Sequence, residues 1–203
     1  MNPQAGITFA TGLRSILRLD PDIIFIGEVS DGETANIAVQ AAQTGHVVLS
    51  SIHASDTAGV LSRLVDLKIE PFMIASPVVG IVSQRLVRRL CPYCQHEIEA
   101  TVLEQIAYQQ ETGERRTKFR FGIGCKQCSY TGYQGRIGIY GVLLMSATLK
   151  MMLYYQATTD ELRAQALKEG MVTMLNDGMN KVKRGITTPG EVIRASYTAS
   201  MDK

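Results

Sequence analysis

Residues 23–35 read IIFIGEVSDGETA, and they place the carboxylate of Glu28 directly after an apolar run and a glycine. The run at 23–26 is continuous and does not alternate with polar residues, which is typical of a strand buried on both faces of a parallel sheet. Glu28 is then predicted at the carboxyl end of that strand, where open α/β sheets bind their ligands. The alternative is a solvated loop glutamate.

The elements that follow this strand complete a βαβ unit. Ser30 and Glu33 have the spacing of a capping box, and the helix that they open is predicted to end at Gly45. The sequence HVVLSSIH at 46–53 predicts a second strand. Because the crossover contains a helix, the two strands are expected to be parallel.

Parallel strands end at the same edge of a sheet, so Glu28 and His53 are predicted to lie together there. His46 begins the second strand and is expected at the opposite edge. An acid beside a histidine at this edge favours a functional reading for Glu28 and His53, whereas a packing role is favoured for His46.

The regions on either side are predicted mainly as helices. A first helix is expected to end near Leu19, because Pro21 disfavours helical backbone just before it. Residues 71–90 predict a helix that begins at Pro71, with RLVRRL at 85–90 as its solvated face. The apolar residues assigned to the core of this helix are Met73, Ile74, Val78, Ile81, Val82 and Leu86.

The C-terminal part is predicted as one strand followed by a helical cap. RIGIYGVLLM at 136–145 predicts the strand, and three helices follow with start signals at Thr158, Met171 and Thr188. The side chains expected to face inward are Leu162, Ala166, Leu167, Met174, Leu175, Val182 and Ile193.

Composition limits the class of protein. The 203 residues are 45% hydrophobic and 20% charged, enough for one sizeable core and a small satellite. A formal charge of +2 argues against a nucleic-acid partner. No apolar run approaches a membrane span, and MNPQAGITFA at the N-terminus lacks the regions of a signal peptide, so a cytoplasmic location is predicted.

Four cysteines form two C-x2-C pairs, CPYC at 91–94 and CKQC at 125–128. Two such pairs can bring four thiolates to one tetrahedral ion, which predicts a structural zinc site made of Cys91, Cys94, Cys125 and Cys128. Two disulfides and a rubredoxin-like iron site are the alternatives. His96 lies nearby but is redundant once four sulfurs are counted.

The segment between the cysteine pairs is polar and predicted to be mostly loop, with a helix at 102–110. Gly122, Gly124 and Gly132 suit tight turns in which backbone N–H groups approach sulfur. The predicted organisation has three parts: a core at 1–90, a zinc subdomain at 91–135, and a final strand with helices at 136–203.

The core assignment rests on a resemblance. TFATGLRSILRLDPDIIFIGEVSDGETANIAVQAAQTGHVVLSSIHASD, SQRLVRRLCPYC, GCKQC, TGYQGRIGIY and GMVTMLNDGMNKVKRGITTPGEVIR resemble, in that order, the secretion ATPases of type II secretion and type IV pilus assembly. Within that family IIFIGE resembles the Walker B segment and TGHVVLSSIH the histidine box. The resemblance implies an α/β fold, the second half of a RecA-like core with a zinc subdomain and a helical cap.

The resemblance also implies a function. The family acts as a cytoplasmic homohexamer whose ATP cycle drives pilin or pseudopilin assembly and protein export at an inner-membrane platform. It assigns nucleotide binding to Gly27, Glu28 and His53, with Glu28 handling the magnesium shell or the attacking water and His53 near the γ-phosphate. Arg14, Arg18 and Arg85 match arginines of the family, with structural ion pairing as the alternative.

Two features depart from the family. No G-x-x-x-x-G-K-[ST] occurs in the chain, so the phosphate-binding loop is missing and a C-terminal fragment, inactive alone, is expected. The family usually has an arginine at Ser30 and a glutamate at Gly141, and losing that arginine removes a planar cation beside Asp31. The rival hypotheses are a zinc-containing interaction module of a secretion platform and, less favoured, a zinc-ribbon nucleic-acid binder.

Overall fold

The computed structural model describes residues 8–197, which fall into two compact units. Within that range the first unit comprises residues 8–81 and 143–170, and the second comprises residues 82–142 and 171–197. The predicted three-part organisation stays a prediction. Part of the N-terminal stretch considered for a signal peptide lies outside the described residues.

The helices are α1 (Phe9–Ile16), α2 (Gly32–Gln43), α3 (Thr57–Asp66), α4 (Pro71–Ala75), α5 (Val102–Thr112), α6 (Ala147–Tyr154), α7 (Thr159–Lys168), α8 (Met174–Lys183) and α9 (Pro189–Tyr197). The strands are β1 (Ile23–Ile26), β2 (Val47–Ser50), β3 (Gly80–Leu90), β4 (Gln95–Glu99), β5 (Lys118–Gly122) and β6 (Tyr133–Leu144). Short 3-10 turns follow α1 at Leu17–Leu19 and precede β6 at Lys126–Cys128.

The first unit contains the predicted βαβ unit. Strands β1 and β2 are parallel, with Ile23 opposite Val47 and Ile26 opposite Ser50. Helix α2 connects them, but its N-cap is Asp31 and not the predicted Ser30. The Asp31 carboxylate accepts a hydrogen bond from the backbone N–H of Thr34 at 2.8 Å, so the cap lies one residue later than the sequence spacing indicated.

The prediction that the first strand is buried on both faces is wrong. Ile24 and Ile26 are buried, whereas the side chains of Ile23 and Phe25 are 64% and 76% exposed. Side chains alternate between the two faces of a strand, so the buried residues share one face and the exposed residues share the other. Within residues 8–197, protein covers only one face of β1.

The predicted helix over residues 71–90 is also wrong. Helix α4 ends at Ala75, and the chain becomes strand β3, which pairs with β6. The residues that follow Pro77 are rich in β-branched side chains, which favour a strand. Val82 and Leu86, predicted in the core, are therefore exposed.

The helices around residues 147–168 complete the first unit. Helix α3 packs on α7, and Leu61 of α3 and Leu162 of α7 are fully buried. Thr158 and Glu161 form the predicted capping box of α7. Helix α6, which is capped by Ser146, was missed from the sequence, and Leu167, predicted to face inward, is exposed.

The second unit contains the antiparallel strand pair β4 and β5, so the segment between the cysteines is more ordered than predicted. The expected helix there is present as α5 and packs on α8 and α9. The rings of Tyr108 and Phe119, both fully buried, meet edge to face with centroids 4.8 Å apart. The other buried members of this core are Val87, Ala100, Ile139, Met174, Met179, Val182, Val192 and Ala195.

The last two helices differ slightly from expectation. Helix α8 begins at Met174, after the N-cap Thr173, and not at Met171. Helix α9 begins at Pro189, as the signal at Thr188 predicted. That the C-terminal helices form a cap stays a prediction. Among residues 8–197, no helix is long and apolar enough to cross a membrane.

Candidate functional site

The carboxyl ends of β1 and β2 are joined by hydrogen bonds beyond the regular strands. The backbone N–H of Val29 donates to the carbonyl of Ser51 at 2.9 Å, and the Ser51 hydroxyl donates to the carbonyl of Gly27 at 2.7 Å. These two bonds fix the segment that carries Glu28 beside the segment that leads to His53. Ser51 was not singled out from the sequence, since its role depends on pairing across the two strands.

The structure brings Glu28 and His53 together at this edge. His53 Nε2 lies 3.4 Å from Glu28 Oε1. The side chain of His53 is 91% exposed and that of Glu28 is 43% exposed, so both are open to a molecule that approaches the edge. An acid and an imidazole in this arrangement can orient a water, hold a metal-bound phosphate or transfer a proton. Their roles stay predictions.

His46 lies at the opposite end of β2, as expected. Its Nδ1 lies 3.0 Å from the carbonyl oxygen of Ala41 and 3.1 Å from the hydroxyl of Thr44, both at the end of α2. The imidazole therefore joins the last turn of α2 to the start of β2. This local hydrogen bonding supports the packing role that the sequence favoured.

The arginines matched to the family have different surroundings. Arg14 pairs with Glu33 at 2.9 Å, whereas Arg18 and Arg85 have no carboxylate within 4.0 Å in the part of the chain that is described. The ionised form of Asp31 is stabilised here by Thr34, without an arginine at position 30. The Thr34 backbone N–H and hydroxyl both donate to it and lower its pKa.

A second polar contact lies after His53 and was missed from the sequence. The Asp56 carboxylate caps α3 and also pairs with Arg163 of α7 at 2.9 Å. An aspartate before an amphipathic helix is a recognisable N-cap signal. Arg163 gives no such signal, because it lies 107 residues further along the chain.

The four cysteines form one cluster. All four sulfur atoms lie within 4.8 Å of one another, and Cys91, Cys94 and Cys128 are buried. The Cys91–Cys125, Cys94–Cys128 and Cys125–Cys128 sulfur pairs are separated by 3.9, 3.8 and 3.8 Å. Four thiolates at the usual zinc–sulfur distance of about 2.3 Å lie about 3.8 Å apart on a tetrahedron. A disulfide needs about 2 Å, so the cluster fits a metal ion and not the two-disulfide alternative.

Backbone N–H groups beside Cys128 favour its thiolate form, which is the form that binds a metal. Burial raises the pKa of Cys94, while for Cys128 the opposing effect of burial is outweighed, and its pKa is lowered, by hydrogen bonds from the backbone N–H groups of Cys125 and Gly132. Both N–H groups lie 3.2 Å from the Cys128 sulfur. Such N–H···S bonds are the outer interactions that orient and stabilise metal-bound thiolates.

The glycines near the cysteines are required by close backbone approach. A Cβ on Gly122 would lie 2.0 Å from the carbonyl oxygen of Gly132, and a Cβ on Gly132 would lie 2.3 Å from that of Gly122. Gly132 also has a φ of +77°. Gly122 precedes the second cysteine pair and Gly132 follows it. The backbone segments at these two positions can therefore approach this closely only because neither residue has a side chain.

Gly141 is the second departure from the family pattern. A Cβ there would lie 2.6 Å from the hydroxyl of Ser83 and 3.3 Å from the backbone nitrogen of Met174. The packing of this chain therefore leaves no room for a glutamate at Gly141 unless these neighbours move.

Comparisons with known proteins give a family. The family model for "Type II/IV secretion system protein" matches residues 1–194. The chain is 42% identical over 196 residues to Type II secretion system protein E of Dickeya dadantii, covering 97% of this chain and 39% of that protein. It is 40% identical over 195 residues to the type IV pilus assembly ATPase PilB of Thermus thermophilus, covering 95% of this chain and 22% of PilB. The chain thus spans well under half of the curated relatives it matches.

Two solved structures share its fold. The DotB ATPase of Yersinia pseudotuberculosis superposes with a TM-score of 0.64 at 18% identity, over 93% of this chain and 40% of that one. The DotB ATPase of Legionella pneumophila superposes with a TM-score of 0.62 at 21% identity, over 92% and 42% of the two chains. At these identities the likeness concerns the fold alone.

Proposed function

Because this chain belongs to the type II/IV secretion system protein family, we propose that it is the segment of a secretion ATPase that carries the hydrolytic acid Glu28. The observation that carries this proposal is the 3.4 Å approach of His53 Nε2 to Glu28 Oε1 at the carboxyl end of two parallel strands. In this proposal the two strands belong to a RecA-like core, and the phosphate-binding loop comes from sequence outside these 203 residues.

Each residue at the edge has a distinct role in the proposed reaction. Glu28 orients the attacking water or the water shell of Mg²⁺, and His53 donates to the γ-phosphate. Gly27 leaves space for the nucleotide beside the end of the strand. The space around it is open, because a Cβ added to Gly27 would meet no heavy atom within 4 Å. Mg²⁺, when bound with ATP, neutralises charge on the phosphates, so the chain's own task is to position groups around them.

The four cysteines hold a structural zinc ion in this proposal. All four protein ligands come from one chain and three of them are buried, which leaves no position open for a substrate. Zinc therefore stabilises the second unit and takes no part in hydrolysis.

At the level of the cell, we place the chain in a cytoplasmic homohexamer that associates peripherally with inner-membrane platform proteins. Its ATP cycle drives pilin or pseudopilin assembly and protein export. The support is the family membership and the relatives named for type II secretion and type IV pilus assembly.

A second candidate is an interaction module without nucleotide chemistry. It is favoured by one observation, that the cysteine cluster is complete within this chain while the nucleotide site lacks a phosphate-binding loop. The two candidates differ in what Glu28 does.

A hybrid protein tests the proposal. This chain replaces the matched 196-residue stretch of the Dickeya dadantii protein, and ATP turnover is measured with Glu28→Gln and a control. Glu28→Gln preserves volume and removes the charge, so turnover should fall by about 10²-fold or more while ATP binding persists. Glu70→Gln, at an exposed carboxylate in the same unit, is the control and should retain turnover.

Two results would count against the proposal. A hybrid that binds ATP but has no turnover would show that this chain does not supply the hydrolytic half, which favours the interaction module. Equal turnover in the hybrid and its Glu28→Gln variant would remove the catalytic role from Glu28.

A further inference from the structure

The loop that carries His53 has little regular support of its own. Residues 51–56 lie between β2 and α3 in neither helix nor strand, and His53 is almost fully exposed. Ser51 fastens the first end of the loop to Gly27. The position of His53 therefore also depends on what holds the second end, at Asp56.

Asp56 is held by two separate elements. Its Oδ1 accepts a hydrogen bond from the backbone N–H of Gly59 at 2.7 Å, which caps α3. Its Oδ2 accepts from Arg163 Nε at 2.9 Å and lies 2.9 Å from an Arg163 terminal nitrogen. Both guanidinium nitrogens contact this one oxygen, and charge-assisted hydrogen bonds of this kind are stronger than neutral ones.

Arg163 is itself held in place on α7. It also pairs with Asp160 on the preceding turn of the same helix, and its side chain is only 35% exposed. Beneath it, α3 and α7 pack closely, and the hydroxyls of Ser62 and Thr159 are hydrogen-bonded between the two helices. The guanidinium therefore projects from a packed pair of helices within the same compact unit.

We propose that Arg163 is a positioning residue for His53: through Asp56 it fixes the His53 loop to α7, so that the C-terminal helices of the first unit set the geometry of the sheet-edge site. The expected effect of Arg163 on turnover rests on the proposed function. The claim that Arg163 holds the His53 loop concerns this chain alone. Neither Arg163 nor Asp56 touches the reacting atoms, and each acts through the position of the imidazole.

The ion pair is partly exposed and contributes little to global stability, so its removal should loosen the loop without unfolding the protein. Arg163→Gln removes the charge and the paired donors. Arg163→Lys keeps the charge but has a single nitrogen, so it should hold the loop partially. Lys168→Gln is the control, because Lys168 is an exposed cation of the same helix with no carboxylate within 4.0 Å among the described residues.

The first measurement is made on this chain by NMR relaxation. In the parent, the backbone order parameters of His53, Ala54 and Ser55 should be close to the rigid value of about 0.85, and in Arg163→Gln they should fall below about 0.6. Arg163→Lys should give intermediate values and Lys168→Gln the parental ones.

Asp56→Asn keeps a capping oxygen for Gly59, and combining it with Arg163→Gln should add little further mobility, because both act on one contact. Unchanged order parameters in Arg163→Gln would overturn the inference, whatever the ATPase activity.

The second measurement is made on the hybrid protein. Arg163→Gln should lower kcat by about tenfold with little change in KM for ATP, because a misplaced group impairs the reaction more than binding. Arg163→Lys should recover part of the loss. If Arg163→Gln loosens the loop but keeps kcat, while Glu28→Gln abolishes turnover, the proposed function stands and the positioning role fails. If Glu28→Gln keeps turnover, the proposed function fails, and the order parameters alone decide whether Arg163 holds the loop.

Discussion

The cysteine cluster and the Glu28–His53 pair are both assembled from segments that are distant in sequence, but they differ in closure. Three of the four cysteines are buried, and the ligands that a tetrahedral ion needs are all present in one chain. The side chains of Glu28 and His53 are exposed, and among residues 8–197 one acid and one imidazole meet there. A closed set of ligands is suited to hold structure, whereas an open pair is suited to act on a molecule that the rest of a larger protein helps to bind.

The largest effect is expected at the closed site. Removing zinc with a chelator, or replacing Cys91 with Ser, should unfold residues 91–128 first, since structural zinc contributes on the order of 10 kcal/mol to small metal-organised units. Elemental analysis should give one zinc per chain before chelation, and limited proteolysis should locate the unfolding.

His96→Ala is the control for this prediction, because His96 lies next to the cysteine pair without being needed as a fifth ligand. The variant should retain one zinc per chain. A metal-replete preparation with clearly less than one zinc per chain would contradict the closed-site interpretation.

A smaller effect on stability is expected from the ion pair between Glu191 and Arg88, a residue of strand β3, which directly precedes Cys91. Arg88 pairs with the buried Glu191 at 2.6 Å, and its guanidinium lies 4.1 Å from the centre of the Tyr133 ring. Burial opposes the charge on Glu191, but hydrogen bonds from Arg88 and Arg194 outweigh it and lower the pKa of Glu191 from 4.5 to about 2. The folded state therefore favours the ionised form.

The lowered pKa of Glu191 makes the stability of the fold depend on pH. A lowered carboxyl pKa stabilises the fold above the ordinary pKa, and the contribution of about 3 kcal/mol is lost as the pH falls from about 4.5 towards 2. Denaturant unfolding followed at pH 7 and at pH 3 should show about 2 kcal/mol of this loss, and Glu191→Gln should be less stable at pH 7 and flatter with pH. Glu99→Gln, at an exposed acid of β4, should keep the parental pH dependence. An identical pH dependence in Glu191→Gln would exclude this source of stability.

The smallest effect separates His53, at the Glu28 edge of the two parallel strands, from His46, at the opposite edge. His46→Ala should cost about 1 kcal/mol of stability, because it removes the hydrogen bond to the Ala41 carbonyl. It should leave turnover of the hybrid nearly parental. His53→Ala should lower turnover and leave the free energy of unfolding unchanged, since its side chain is 91% exposed. Both quantities are measured on both variants, and the reverse pattern would interchange their assigned roles.

The closed site was largely predictable from sequence, because C-x2-C spacing is local and four cysteines leave few ways to form one cluster. The βαβ unit was predictable for a similar reason, since strand, cap and crossover lie within about 30 residues. The placement of Glu28 and His53 at one edge then follows from parallel pairing alone.

The rest depended on contacts that no local pattern specifies. The apolar spacing of residues 74–86 fits a helix, but pairing with β6 makes most of this segment a strand. The exposure of Ile23 and Phe25 reflects which elements cover the sheet and not the residues themselves. Arg163 meets Asp56 only after α7 packs on α3.

ATP turnover of the isolated 203-residue chain beside that of the hybrid tests the open-site account most directly. The chain has an acid and a histidine but no phosphate-binding loop, so it should show no turnover, while the hybrid hydrolyses ATP. Turnover by the isolated chain that survives purification and disappears in Glu28→Gln would contradict the account, because it would mean that these 203 residues contain a complete phosphate site.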